Sequence, residues 1–135
     1  MQSNTGLYLS KTPELVMSLR IPGRPMTLNN ERKLNRFARA AHVKEVRELV
    51  SVLAMVEWGN RPPIVKVLIS AVPMLKHKRK QDTGGCFPAV KAAIDGLVDA
   101  GVLIEDGPDV VKCLVMEAPL LGEPADALEL SVWKI

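Results

Sequence analysis

One run limits the fold more than any other. Ile64 to Val72 is rich in β-branched residues and lies between Pro63 and Pro73. Such a segment suits a buried strand and resists a helix, because branching at Cβ stiffens χ1 and fits a pleated surface. The strand has a helical pattern on each side. Upstream, from Phe37, the apolar positions Ala40, Val43, Val46, Val50, Leu53 and Ala54 recur at three and four. That is the stripe of an amphipathic helix, and Gly59 with Pro62-Pro63 ends it. Downstream, Pro88 suits a first helical turn, and Val90, Ile94, Leu97 and Val98 form one apolar face that Gly101 closes.

The remaining elements are shorter. Leu19 and Ile21 read as a strand entering the rigid turn Pro22-Gly23-Arg24-Pro25, and Val102 to Ile104 is short and apolar. Val110 to Glu117 and Leu128 to Trp133 read as two further strands. The expected order is β, α, β, α, β, β. This is an α+β chain with a mixed sheet of about four strands and two main helices packed on it. At 135 residues there is room for one such domain, assigned to residues 18–135, behind a loosely structured extension over residues 1–17. Met55, Trp58 and Trp133 are expected in the core.

Composition excludes several classes. Five aromatic residues are too few for a single-strand stacking platform. No stretch has the ~20 apolar residues of a membrane span, and no secretory pattern opens the chain. Two cysteines, Cys86 and Cys113, make neither a disulfide scaffold nor a four-thiolate zinc site, so a cytoplasmic chain with reduced thiols is expected.

The net charge of +3 hides an asymmetry. Residues 1–91 carry a balance of +10 and residues 92–135 a balance of −7. A basic stretch feeding an acidic one suits a protein that attracts a polyanion and presents carboxylates to it; two solvated faces that neutralise each other give the same count. The basic residues concentrate in Lys76-His77-Lys78-Arg79-Lys80 and in Arg32, Lys33, Arg36 and Arg39. Asp82 follows the first cluster directly, and Glu105, Asp106 and Asp109 share one turn beyond the second helix.

If that helix packs back on the sheet, its two flanking loops become neighbours. Carboxylates clustered without His or Cys suit a hard cation such as Mg²⁺, which can activate water and neutralise charge on a phosphodiester. Lys91, in the first turns of the helix, can bind a phosphate or stabilise a leaving oxygen. Asp95 shares its face four residues on. The same residues also read as ordinary turn residues and a surface ion pair. His77 has no second His nearby, and Cys86 has no His at a motif distance, so neither reads as a ligand or nucleophile.

Three runs carry a resemblance: Lys78-Arg79-Lys80-Gln81-Asp82; Pro88 to Leu97, with Lys91 and Asp95; and Val102-Leu103-Ile104-Glu105-Asp106. Together they resemble the RusA family of Holliday-junction resolvases, in the form carried by phages and prophages of actinobacteria. The likeness spans about residues 18–135 and takes in Ile21 to Pro25 and Asn29-Asn30.

It implies a small α+β homodimer that binds four-way DNA junctions, with no membrane association, and cuts paired strands with Mg²⁺, for which Mn²⁺ substitutes. It implies catalytic roles for Asp82, Lys91, Glu105 and Asp106, with Asp82, Glu105, Asp106 and Asp95 as metal ligands. Lys76, Lys78, Arg79, Lys80, Arg32, Lys33 and Arg36 are then expected to hold DNA. One departure stands out. Where the family carries a second Asp followed by Asn, this chain has Gly84 and Gly85. A branched-DNA binder of the same fold that cuts weakly or not at all is therefore the alternative. An assembly domain whose charge halves bind across subunits is a third reading.

Overall fold

The computed structural model describes residues 12–77 and 81–135. Its elements run β1 (Glu14–Pro22), α1 (Leu28–Lys33), α2 (Arg36–Trp58), β2 (Val67–Leu75), α3 (Phe87–Asp99), β3 (Val111–Met116), β4 (Leu120–Leu121) and β5 (Ala127–Lys134). The sheet is ordered β1-β5-β2-β3, with β4 also on β2. β5 pairs antiparallel with both β1 and β2, whereas β3 and β4 run parallel to β2. A parallel neighbour requires a crossover, and α3 supplies it. The α+β class and mixed sheet expected from the sequence are present, with one short strand and one short helix more than the pattern indicated.

The helices pack on one sheet face. Val50, Ala54 and Trp58 of α2 and Val90, Ala93, Ile94 and Leu97 of α3 meet Met17, Leu19, Ile21, Val67, Ile69, Leu130 and Val132 of the sheet. On the other face, the Trp133 indole donates to Ser70 Oγ at 2.9 Å and the Ser18 and Ser131 hydroxyls stand 3.2 Å apart. The same alternation that buries one set of strand residues places these polar groups opposite.

Four expectations need correction. β1 begins at Glu14, so residues 14–17 belong to the sheet and Met17 to its core. β2 does not stop at Pro73 but runs to Leu75. Proline is tolerated there because pairing to β3 ends at Ala71 and pairing to β4 begins only at Met74. In α2 the apolar stripe is fully buried only from Val50 onward, Val46 is partly buried against the core, and Ala40 is exposed. Met55 is also exposed, because Val50, Ala54 and Trp58 set the buried line and Met55 lies off it.

The crossing of α2 and α3 is unusually close. A Cβ on Gly96 would stand 2.7 Å from the Arg47 carbonyl oxygen and 2.9 Å from Val50 Cβ. Only a residue without a side chain allows this approach. The Arg47 guanidinium then reaches across to Asp99, with Nη2 at 2.8 Å from Oδ1.

Candidate active site

Lys91 is four residues into α3, about 6 Å along its axis from the start. Its Nζ stands 3.2 Å from Asp95 Oδ1, one turn further on. It stands 2.6 Å from Asp106 Oδ2, in the loop beyond the helix. The first contact follows from helical spacing. The second depends on how the chain returns. Gly101 adopts φ +79° and turns the chain off α3. Val102 and Leu103 are then buried, and Leu103 bridges to Ile64 in parallel. With these two residues anchored, Glu105 and Asp106 emerge into solvent beside the middle of α3.

The electrostatics follow from this geometry. The hydrogen bond from Lys91 holds the Asp106 carboxyl below the usual carboxylate range, and Asp106 in turn holds the Lys91 ammonium above its ordinary value. Both are about half exposed, at 44% and 50%, so the pair is open to solvent and to a ligand. Arg47 stands close enough for Asp95 and Asp106 to raise its pKa further, after the larger effect of Asp99.

Asp82 lies apart from this cluster. It lines a cavity of about 690 Å³ with Arg24, Asn29, Asn30, Arg32, Lys33 and Gln81. That cavity sits between α1 and the loop leading into α3. The N-cap Thr27 accepts from the Asn30 N–H, and the Leu28 N–H donates to the Gly85 carbonyl at 2.9 Å, which ties α1 to the loop. Gly84 takes φ +82° in the same loop. The cavity lining includes none of Lys91, Asp95 or Asp106 among the described residues.

Of the residues singled out from the sequence, the structure thus brings Lys91, Asp95 and Asp106 into contact, and groups Arg32, Lys33 and Asp82. Glu105 is exposed next to Asp106, and Asp109 is exposed in the turn that enters β3. Arg36 lies over the Phe37 ring at 4.9 Å. The Lys76 N–H donates to Asp126 Oδ1 at 2.7 Å. Lys78, Arg79 and Lys80 lie outside the described residues. Cys86 is buried, which pushes its thiol up and suits a core residue rather than a nucleophile.

Two features have no signature in the sequence. The Arg47–Asp99 pair joins residues 52 positions apart, and no local spacing announces it. Arg24, Asn29, Asn30 and Gln81 are visible as turn and helix-entry residues, but nothing in the sequence shows that they line one recess.

The donor set can be tested against a divalent cation. Asp95 and Asp106 converge on a single ammonium, so two carboxylates already share one positive charge. Among the described residues no three His, Cys, Asp or Glu side chains form a metal-binding group. Two carboxylates suffice for Mg²⁺, which keeps several waters and completes its shell with substrate phosphate oxygens. The chain matches no protein-family model and no curated protein. Among the described residues, no helix is long and apolar enough to cross a membrane.

Proposed function

We propose that this protein is a Mg²⁺-dependent endonuclease selective for branched DNA, of the kind its resemblance to the RusA family implies. The observation that carries the reading is the convergence of Asp95 and Asp106 on Lys91 at an exposed site. An oxygen-only donor pair beside a flexible cationic side chain is what phosphodiester hydrolysis needs, and a purely structural ion pair needs only one carboxylate.

Asp95 and Asp106 would hold the metal, with Glu105 next to Asp106 in sequence and Asp82 in the neighbouring loop that enters α3. When bound, the ion would supply an activated water and charge neutralisation at the phosphate. Lys91 releases its carboxylates as the substrate arrives and donates to a non-bridging or leaving phosphate oxygen. Arg32 and Lys33 hold the neighbouring backbone, along with Arg36 and the basic residues from Lys76 to Lys80. Phosphate contacts of this kind set position and read little sequence. A two-fold homodimer would place equivalent sites on the two strands of a near-symmetric junction. The test is junction cleavage by Asp106→Asn. Loss of cutting with the fold intact supports the assignment, and undiminished cutting removes it.

One observation favours a second reading. Gly84 stands where a second metal-binding Asp is expected, and its φ of +82° belongs to a backbone that side chains avoid. A protein of the same fold that binds branched DNA and cuts it poorly would show salt-sensitive binding and no product with Mg²⁺ or Mn²⁺.

A further inference from the structure

α2 is covered on one side only. Val50, Ala54 and Trp58 set its buried line, and Leu49, Val52 and Val56 follow one another at helical spacing on the other side. Val52 is 60% exposed and Val56 83%, and Met55 is exposed beside them. A solvated helix face carries charged or polar side chains at such positions. A line of apolar ones marks a surface that a partner covers.

A second open feature lies on the same flank. β1 is an outer strand of the sheet and pairs with β5 alone among the described residues. An unpaired strand edge is itself a place where another chain can add. The two features meet in a groove of about 460 Å³ between β1 and α2, lined by Ser18, Leu19, Arg20, Leu53, Val56 and Glu57.

We propose that this flank receives a second copy of the chain, related by a two-fold axis normal to the sheet, with the two α2 helices antiparallel along Leu49, Val52 and Val56. The inference deepens the reading above and rests on its homodimer, because it names the face that the two copies share. Two observations select a second copy. The first is that one axis meets both open features: it sets α2 against the partner's α2 and turns the β1 edge toward the partner's β1. A foreign helix would cover the stripe and leave the edge, and a foreign strand would do the reverse. The second is that the charges are self-complementary. Glu45 is exposed one turn before Leu49 and extends the stripe, whereas Arg20 lies at the Val56 end. In an antiparallel pair centred near Val52, each Val56 end meets the partner's Leu49 end. Arg20 then stands near the partner's Glu45, and the partner's Leu49 enters the groove beside Leu53 and Val56.

The test is sedimentation velocity on the full chain without DNA or metal, so it reads association independently of cutting. The parent should be a dimer, and Val56→Asp should weaken it roughly thirty-fold or more, with an unchanged helical dichroism spectrum. Glu45→Arg should weaken it roughly five-fold, and adding Arg20→Glu to the same chain should restore it. Val52→Cys, close to the axis, should form a disulfide-linked dimer on mild oxidation, and the parent, with Cys86 and Cys113 only, should not. A parent that stays monomeric at about 0.1 mM leaves the flank to a foreign partner and overturns the proposal. A dimer undiminished by Val56→Asp, or one that Val52→Cys fails to cross-link, overturns it as well. If the chain cuts junctions as a monomer, the nuclease reading survives and the interface falls. If it dimerises as described and cuts nothing, the interface survives and the nuclease reading falls.

Discussion

Lys91 Nζ bridges two carboxylates that reach it from different places, Asp95 from its own helix at 3.2 Å and Asp106 from the loop beyond at 2.6 Å. Three charged groups therefore sit in an exposed cluster with two negative charges and one positive. A helix surface pair of the ordinary kind would stop at Asp95. The second carboxylate leaves the cluster with one negative charge in excess, and about half of the Lys91 and Asp106 side chains is open to solvent.

Replacing Lys91 separates chemistry from folding. Lys91→Met should lower junction cleavage by about a hundredfold or more, the scale for losing one preorganised donor at a reacting oxygen. Stability should change by about 1 kcal/mol or less, because the pair is solvent-exposed. Single-turnover cleavage and urea unfolding on the same preparation check both halves.

The pH dependence of stability has a defined window. The Asp106 pKa is lowered on folding, so its contribution is present above the ordinary carboxylate value and is lost as pH falls through the lowered one. The Lys91 pKa is raised, so its contribution is present below the ordinary lysine value and is lost as pH rises past the raised one. The pair should therefore support the fold across roughly pH 4–10 and release that support outside it. Denaturation midpoints of the parent and Asp106→Asn, measured from about pH 2 to 7, should begin to converge as the pH falls below about 4 and meet only below the lowered Asp106 value.

The α2–α3 crossing should tolerate almost no added volume. Gly96→Ala places a methyl group 2.7 Å from the Arg47 carbonyl oxygen and 2.9 Å from Val50 Cβ. We expect a loss of about 1–3 kcal/mol, the usual scale of overpacking. Because the crossing also carries Arg47 to Asp99 beside Asp95, cleavage should fall with it. Chemical denaturation and activity of the same variant test the link.

Much of this arrangement is legible in the sequence, and the parts that are not share a cause. Pro88, the apolar face of Val90, Ile94 and Leu97, and Gly101 delimit α3 from its own residues. The β-branched run marks β2. Lys91 and Asp95 pair by helical spacing alone. By contrast, Asp106 reaches Lys91 only because Leu103 anchors on Ile64, a long-range contact that no local pattern encodes. Arg47 and Asp99 meet only because Gly96 lets two helices touch. α1 has six residues and β4 two, too few for a period to show. Met55 defeats the pattern because an apolar residue one position off the buried line looks the same in sequence as one on it.

The basic residues near the cavity should contribute electrostatically and without sequence preference. Arg32→Gln and Lys33→Gln should each reduce the slope of log affinity against log salt by about 1, on junction and duplex alike. Titrations at three or more salt concentrations read the slope directly.

Metal-dependent, structure-selective cutting is the central claim. The most direct measurement incubates the full chain with a synthetic four-way junction and with linear duplex of the same sequence, in Mg²⁺, Mn²⁺ or EDTA. Paired nicks on the junction with either metal are expected, with none in EDTA and little cutting of the duplex. Cutting that persists in EDTA, equal cutting of both substrates, or junction binding with no product under any metal would contradict the claim.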